Sequence, residues 1–201
     1  MSWRLARSLD QLRKQVNAKW PDRDKTSDGS IGDQSHAARK SDHNPNSAGV
    51  VTAIDIDADL SPTENVGVLV AALQASGDPR IKYIIWNAHI TVKGDITQWK
   101  PYHGANAHKH HAHISVSSDP KLYDDASEWD LDQTLVAPIA GRVLEFGMIG
   151  NDVRELQAAL KLKVDGVFGP KTEAAVKGFQ LSSGLRVDGM VGKNTRALLG
   201  I

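Results

Sequence analysis

The chain of 201 residues is long enough for one mid-sized domain and a second, smaller one. It carries 24 basic and 24 acidic side chains, so no net positive charge draws it to nucleic acid, and we expect no nucleic-acid partner. The absence of cysteine excludes disulfides, thiolate metal sites and cysteine nucleophiles. No apolar run is long enough for a signal peptide or a membrane span, so we expect synthesis in the cytoplasm and no membrane insertion.

The first predicted element is a helix near the start of the chain. Apolar residues recur there at helical spacing: Leu5, Leu9, Leu12 and Val16. Pro21 follows and would end that helix. A polar loop over residues 22–46 comes next, and the β-branched run 50–56 then predicts a buried strand.

A second helix is predicted after that strand. Ser61 and Glu64 have capping-box spacing with Pro62 at the first helical position, and an apolar run follows over 66–73. The helix should end at Gly77. Residues 81–86 then predict another strand.

Histidine and aspartate side chains gather in three places in this first part of the chain. The polar loop carries His43, and the first buried strand carries Asp55. Alternation along a strand over 111–116 would put His111, His113 and Ser115 on one face. Imidazole and carboxylate are ligands of catalytic zinc, which has three protein ligands and one position open for water. The sequence therefore predicts a metal site assembled from three segments, and hydrolytic chemistry.

The composition changes after Ser118. All eight histidines precede this point, and we predict a catalytic domain over 1–118, a linker over 119–140 and a second domain over 141–201. The second domain contains an internal repeat, because residues 164–172 are echoed by residues 187–195, 23 positions later. Each copy is predicted to be a turn that leads into a short helix.

These motifs carry a resemblance to a known family. The N-terminal part resembles the zinc D-Ala-D-Ala carboxypeptidase and L-alanyl-D-glutamate peptidase family, whose hallmark is Ser-x-His, Ala-x-Asp and a late zinc-binding His. Here these are Ser41-Asp42-His43, Ala53-Ile54-Asp55 and His113. Residues 27–33 and 39–46 are similar to endolysin peptidase domains of actinobacterial phages, and the likeness covers roughly residues 5–117. It implies an α+β fold with a small antiparallel sheet of the hedgehog and DD-peptidase type.

The tail also resembles a known module. Residues 143–199 are similar to the three-helix peptidoglycan-binding domain, whose Asp-Gly-x-x-Gly-x-x-Thr turn occurs twice here. Both resemblances imply bacterial peptidoglycan as the partner.

The resemblance to the peptidase family implies roles for individual residues. His43, Asp55 and His113 would bind Zn²⁺, and a zinc-bound water would be the nucleophile. Arg39 would hold a substrate carboxylate or steady the oxyanion. Eleven residues separate His43 from Asp55, about twice the family's usual spacing, so Asp57 competes for the ligand role.

The identity of the catalytic base is a second departure from the family pattern. The family commonly has Glu or Asp three positions before the last ligand, where this chain has His110. The related lysostaphin-like metallopeptidases place a His two positions before the ligand His, in a His-x-His, so His111 is assigned as general acid/base or transition-state stabiliser. His108 and His110 are the alternatives.

The implied protein is a monomeric phage endolysin that hydrolyses a peptide bond in the peptidoglycan stem, L-Ala-D-Glu first and a D-Ala bond next. It would be made in the host cytoplasm and released by a membrane-permeabilising holin. One alternative is a non-catalytic, zinc-stabilised wall-binding protein. A less favoured one is a His-Asn-His nuclease, which the run Asp42-His43-Asn44-Pro45 echoes.

Overall fold

The computed structural model describes residues 3–32, 41–62, 64–132 and 142–201. The chain divides into two compact units, Met1–Asp132 and Gln133–Ile201. The first combines helices with an antiparallel sheet and the second is helical, as the α+β expectation requires. Across the described segments, no helix has the length and apolar character needed to cross a membrane.

Two helices of the first unit follow the predicted pattern. Helix α1 (Arg7–Lys19) buries Leu9, Leu12 and Val16 and ends before Pro21. Helix α2 (Gly67–Ser76) ends at Gly77, whose left-handed φ of 59° suits a residue without Cβ.

The predicted capping box forms a turn before α2 instead of its first turn. The Glu64 backbone N–H donates to Ser61 Oγ at 3.0 Å, but the helix begins only at Gly67. The Glu64 side chain accepts a hydrogen bond from Trp20 Nε1 at 2.8 Å, so it stabilises the end of α1. Thr63 lies outside the described residues.

Two sheets position the chemistry of the first unit. Strand β1 (Arg4–Leu5) pairs in parallel with β2 (Val50–Val51). The larger sheet is antiparallel with the order β3-β7-β4-β5-β6, and its strands are β3 (Ala53–Asp57), β4 (Ile81–Trp86), β5 (His89–Val92), β6 (Asp95–Pro101) and β7 (His111–Val116). The predicted strand 50–56 is therefore split at Thr52, whose N–H donates to the Asp42 carbonyl at 3.1 Å.

The register of β3 and β7 determines which side chains meet. Asp55 lies opposite His113, and Asp57 lies opposite His111. The alternate residues Ala112, Ile114 and Val116 are fully buried. The predicted alternation of β7 is thus confirmed, because the histidines lie on the face opposite the apolar residues.

Residues 119–132 belong to the first unit, whereas the sequence predicted a linker over 119–140. Helix α3 (Pro120–Tyr123) starts the segment, and Trp129 and Leu131 are buried in it. Gln15 exchanges two hydrogen bonds with the Trp129 backbone, at 3.0 and 2.8 Å, and the Arg80 guanidinium lies 3.8 Å from the Trp129 ring centre. The apolar side chains in an otherwise acidic run explain the difference.

Within the described part of the second unit, residues 142–201, the chain forms three helices, as the resemblance to a three-helix module implies. Helices α4 (Asn151–Ala159), α5 (Pro170–Ser182) and α6 (Lys193–Leu199) surround a small core. The fully buried members of that core are Leu144, Val153, Leu156, Phe168, Val176 and Val191.

The internal repeat has a shared polar framework in this unit. Gln157 Nε2 donates to Asp165 Oδ1, the Val167 carbonyl and Thr172 Oγ1, at 2.7 to 3.1 Å. Gln180 makes the same three bonds 23 positions later, and the distances are 2.8 to 3.4 Å. Each glutamine Oε1 also accepts the N–H of the turn glycine. Each copy is therefore a turn held by one buried glutamine.

Candidate metal centre

Three side chains from three segments converge at one point of the first unit. His43 Nε2 lies 3.0 Å from His113 Nδ1 and 3.2 Å from Asp55 Oδ1, and His113 Nδ1 lies 3.1 Å from that same oxygen. His43 is 6% exposed and His113 is 5% exposed. The three residues form a group whose ligand atoms can hold one metal ion.

The outward nitrogens of both imidazoles are engaged by other groups. His43 Nδ1 lies 2.8 Å from the Ser30 carbonyl, which can only accept, so this nitrogen carries the proton. His113 Nε2 lies 2.9 Å from Ser115 Oγ, which is also hydrogen-bonded to Asp42. When neutral imidazoles carry their protons on these outer atoms, the inner nitrogens offer lone pairs beside the Asp55 carboxylate. Such an arrangement fits a cation, because metal-bound histidines usually donate their other N–H to an oxygen.

The electrostatics of the metal-free group follow from this crowding. Burial favours a higher pKa for Asp55, but hydrogen bonds from His113 and His43 outweigh it and hold that pKa well below the usual carboxyl value. Burial lowers the pKa of His113. Burial works in the same direction on His43, but the hydrogen bond with Asp55 and its charge raise the pKa. The site is thus a carboxylate with two buried imidazoles.

Asp57, the predicted competitor for the ligand role, is engaged elsewhere. Its Oδ2 accepts the Ser27 N–H at 2.8 Å, and its Oδ1 accepts the Asp59 N–H at 2.9 Å. It does not belong to the converging group of described residues. The geometry therefore favours Asp55. Arg39, the predicted carboxylate holder, lies outside the described residues.

The three candidate histidines for proton transfer lie at different distances from the group. His111 Nε2 is 3.8 Å from Asp55 Oδ2. His108 is buried, with φ of 49°, and its ring centre lies 5.1 Å from that of His111 and 5.5 Å from that of His113. Burial, reinforced by the neighbouring His113, lowers the pKa of His108 to about 4. His110 is exposed on the preceding turn.

Sequence reasoning missed two residues next to the group: Tyr83, which packs on His113, and Lys82, which pairs with Asp42. Tyr83 stacks on His113 with ring centres 5.6 Å apart and donates its hydroxyl to Asp42 Oδ2 at 2.8 Å. Lys82 Nζ reaches both Asp42 oxygens at 2.8 Å. The signal that could have identified Tyr83 was its position on β4, the strand that pairs with β7.

A small cavity adjoins the Asp55 carboxylate. Its volume is about 130 Å³, and Arg13, Gly29 and Ser30 line it together with Asp55. A Cβ on Gly29 would lie 3.1 Å from Asp55 Oδ2, so glycine leaves space for this carboxylate. Arg13 therefore lines the same cavity as Asp55, and sequence reasoning did not select it.

Comparison with known proteins finds similarity in the C-terminal region. Residues 149–199 match the family model described as a putative peptidoglycan binding domain. The chain is similar to the spore cortex-lytic enzyme of Oceanobacillus iheyensis, with 38% identity over 71 residues, which are 32% of this chain and 26% of that protein. It is also similar to the N-acetylmuramoyl-L-alanine amidase CwlL of Bacillus licheniformis, with 42% identity over 64 residues, covering 26% and 18% of the two chains.

One solved structure completes this comparison. The crystal structure of the SleB N-terminal domain is 42% identical, with coverage of 31% of this chain and 94% of that one and a TM-score of 0.30. The chain spans about a quarter of the length of the first curated relatives. These comparisons do not show the zinc peptidase family that residues 5–117 resemble. They show that residues 149–199 are similar to a putative peptidoglycan binding domain, and that relatives with a similar stretch are named as a spore cortex-lytic enzyme and an amidase.

Proposed function

We propose that the first unit is a zinc peptidase that hydrolyses a peptide bond in the peptidoglycan stem, with L-Ala-D-Glu preferred and a bond to D-Ala next. The observation that carries this proposal is the convergence of His43 Nε2, Asp55 Oδ1 and His113 Nδ1 within 3.0 to 3.2 Å. Two imidazoles and one carboxylate are a donor set of catalytic zinc sites. Zinc bound there would polarise the scissile carbonyl and lower the pKa of its water.

The residues of the chain divide the remaining work. Ser30 and Ser115 fix the ring orientations of His43 and His113, so that the inner nitrogens face one point. Asp55 supplies the negative charge that favours a divalent cation over a proton. The buried face of β7 keeps water away from the back of the site.

His111 is the favoured group for moving the proton. Its Nε2 lies 3.8 Å from Asp55 Oδ2, and its side chain is 15% exposed. An imidazole can both accept and donate a proton, so it suits transfer from the attacking water to the leaving amine. Arg39 is proposed to hold a substrate carboxylate, on the sequence resemblance alone.

The C-terminal domain would tether this activity to its substrate. A wall-bound anchor raises the effective concentration of stem peptides near the peptidase. The phage endolysin setting, with host-cell synthesis and a holin for release, belongs to the same proposal.

Digestion of purified peptidoglycan tests the activity. Wild type, His113→Ala and the exposed-site control His103→Ala would each be stripped of metal, restored with zinc and incubated with sacculi. Mass spectrometry of the soluble fragments would identify new amino termini. We expect zinc-dependent release by wild type and His103→Ala, and none by His113→Ala.

A new D-Glu terminus would identify the L-Ala-D-Glu bond. No fragments from folded, zinc-loaded wild type would contradict the peptidase and favour a zinc-stabilised wall-binding protein. Nuclease activity is disfavoured, because His111 and His113 lie on a strand instead of the short helix that such a site requires.

A further inference from the structure

The two copies of the repeat in the second unit share a framework but present different surfaces. Val167 in the first turn is 1% exposed, whereas Met190, its counterpart 23 positions later, is 39% exposed. The flanking Val164 and Val187 are similarly exposed in the two copies, at 41% and 46%. The difference is therefore local to the turns and not a general loosening of the second copy.

The segment before α4 explains this difference. Ile149 bridges to Val167, and Phe168 exchanges backbone hydrogen bonds with Gly147 and Met148 at 2.9 and 2.7 Å. The second turn pairs with this segment through Leu144, which bridges to Val191. The first turn is thus covered by the chain itself, and the second leaves an apolar side chain in solvent, as interaction sites do.

An open cleft of about 380 Å³ lies at the second turn. Met190 and Val143, which is 41% exposed, give it an aliphatic wall. Arg186 and Lys193 bring two cations to it. None of its ten lining residues is aromatic, so no ring is available to stack on a sugar.

The acidic residue in the cleft, Asp188, is engaged mainly in the turn and pairs only loosely with Arg186. Asp188 Oδ1 accepts hydrogen bonds from the Met190 N–H and from Gln180 Nε2, both at 2.9 Å, so it is part of the turn framework. Arg186 is 89% exposed in its side chain and lies 3.9 Å from Asp188, a distance at which an exposed pair contributes little. Residues 141–201 carry nine basic and six acidic side chains, so the whole unit favours an anion.

We propose that this cleft binds the acidic stem peptide of peptidoglycan. Carboxylates of the peptide would pair with Arg186 and Lys193, and an aliphatic part would lie on Met190 and Val143. This inference rests on the proposed function in one respect, namely that peptidoglycan is the polymer of the C-terminal domain. Aliphatic surface beside two cations favours the peptide over the glycan strand.

The repeat supplies matched controls for a binding test. Arg186→Glu reverses a charge in the cleft, and Lys163→Glu makes the same change at the equivalent exposed position of the first copy. Met190→Ser removes the apolar wall, and Val164→Ser removes a similarly exposed side chain outside the cleft. All four positions are exposed, so we expect the variants to fold.

Full-length protein would be sedimented with purified sacculi over a range of concentrations. Competitors would be the tripeptide L-Ala-γ-D-Glu-meso-diaminopimelate and peptide-free glycan strands. We expect Arg186→Glu to weaken binding about tenfold, Met190→Ser about threefold, and each control less than twofold. The tripeptide should compete, and the glycan should not.

Equal affinity of wild type and both cleft variants would overturn the proposal, as would competition by glycan alone. Hydrolysis of a soluble muropeptide is measured in parallel. Wild type that binds sacculi through the cleft but cleaves nothing would contradict the peptidase and leave the cleft assignment standing. Wild type that cleaves the muropeptide but shows no affinity for sacculi would do the reverse.

Discussion

The two units contain buried polar clusters that differ in how their hydrogen bonds are satisfied. Around Gln157 and Gln180, each side-chain donor meets an acceptor and each carbonyl meets a donor. Around Asp55, by contrast, two imidazole nitrogens and a carboxylate oxygen point at one another, while the outer imidazole nitrogens are held elsewhere. The glutamine clusters pair each donor with an acceptor, whereas the Asp55 group brings three potential metal ligands to one point. The first kind of cluster stabilises a fold, and the second kind is a candidate site.

The largest expected effect is on zinc affinity, when Asp55 is replaced and its neighbour Asp57 serves as the control. Asp55→Ala removes a proposed ligand and should lower zinc affinity by more than about a hundredfold, since even outer-shell changes cost tenfold to a hundredfold. Asp57→Ala is the control, because Asp57 accepts two backbone N–H groups and should affect stability instead. Competition with a chromophoric chelator measures both. Equal loss of affinity in the two variants would contradict the assignment of Asp55.

The glutamine clusters should respond in the opposite way. Gln157→Ala leaves the Gly166 N–H and other polar groups unpaired, and should destabilise the second unit by about 2–4 kcal/mol. Gln180→Ala should have a similar effect, because its bonds are equivalent. Thermal unfolding, followed together with zinc stoichiometry, tests this. A changed zinc content in either variant would mean that the clusters are not independent.

Ser115 is expected to affect zinc binding without being a ligand, because it contacts the outer nitrogen of His113. Ser115→Ala removes the oxygen that holds His113 Nε2, and should weaken zinc binding about tenfold with the three ligand residues intact. Ser8→Ala is a matched control, since Ser8 is also fully buried and donates to the Tyr123 carbonyl at 2.8 Å. Zinc titration of both variants gives the answer. Affinity unchanged by Ser115→Ala would remove this serine from the positioning of His113.

The smallest expected effect concerns an ion pair outside both clusters. Hydrogen bonds from the Arg4 guanidinium, with the Arg7 N–H, hold the pKa of Asp124 below its ordinary value. A depressed pKa stabilises the folded state above the ordinary carboxyl pKa, and this contribution is lost as the pH falls through the folded value. Arg4→Met should therefore reduce stability by less than about 1 kcal/mol at pH 7 and have less effect at acid pH. Urea unfolding at both pH values measures the difference, and a larger loss at acid pH would contradict it.

Much of the geometry of the candidate site was predictable from local patterns in the sequence. Strand alternation put His111 and His113 on one face, and the β-branched run placed Asp55 on a neighbouring strand. Spacing could not distinguish Asp55 from Asp57, because residues two positions apart on a strand share a face. The backbone partners of Asp57 favour Asp55 as the ligand. The roles of Tyr83 and Ser30 could not be predicted from the sequence, because they arise only from tertiary contacts.

The fold was predicted less evenly. The helices over 7–19 and 170–182 follow from spacing and turn residues, and so does the repeat. The predicted linker reached too far because its acidic composition concealed Trp129 and Leu131, whose burial against the first unit is a long-range contact. The start of α2 was placed too early, since Ser61 and Glu64 form a turn that does not continue as a helix.

The most direct test of the central claim is the zinc coordination of the full chain, determined by X-ray absorption on the zinc-loaded protein and on His113→Ala. We expect one zinc per chain with two imidazoles, one carboxylate and a fourth position occupied by water, and loss of that site in the variant. A site closed by four protein ligands, or the same spectrum in wild type and variant, would contradict a catalytic centre at His43, Asp55 and His113.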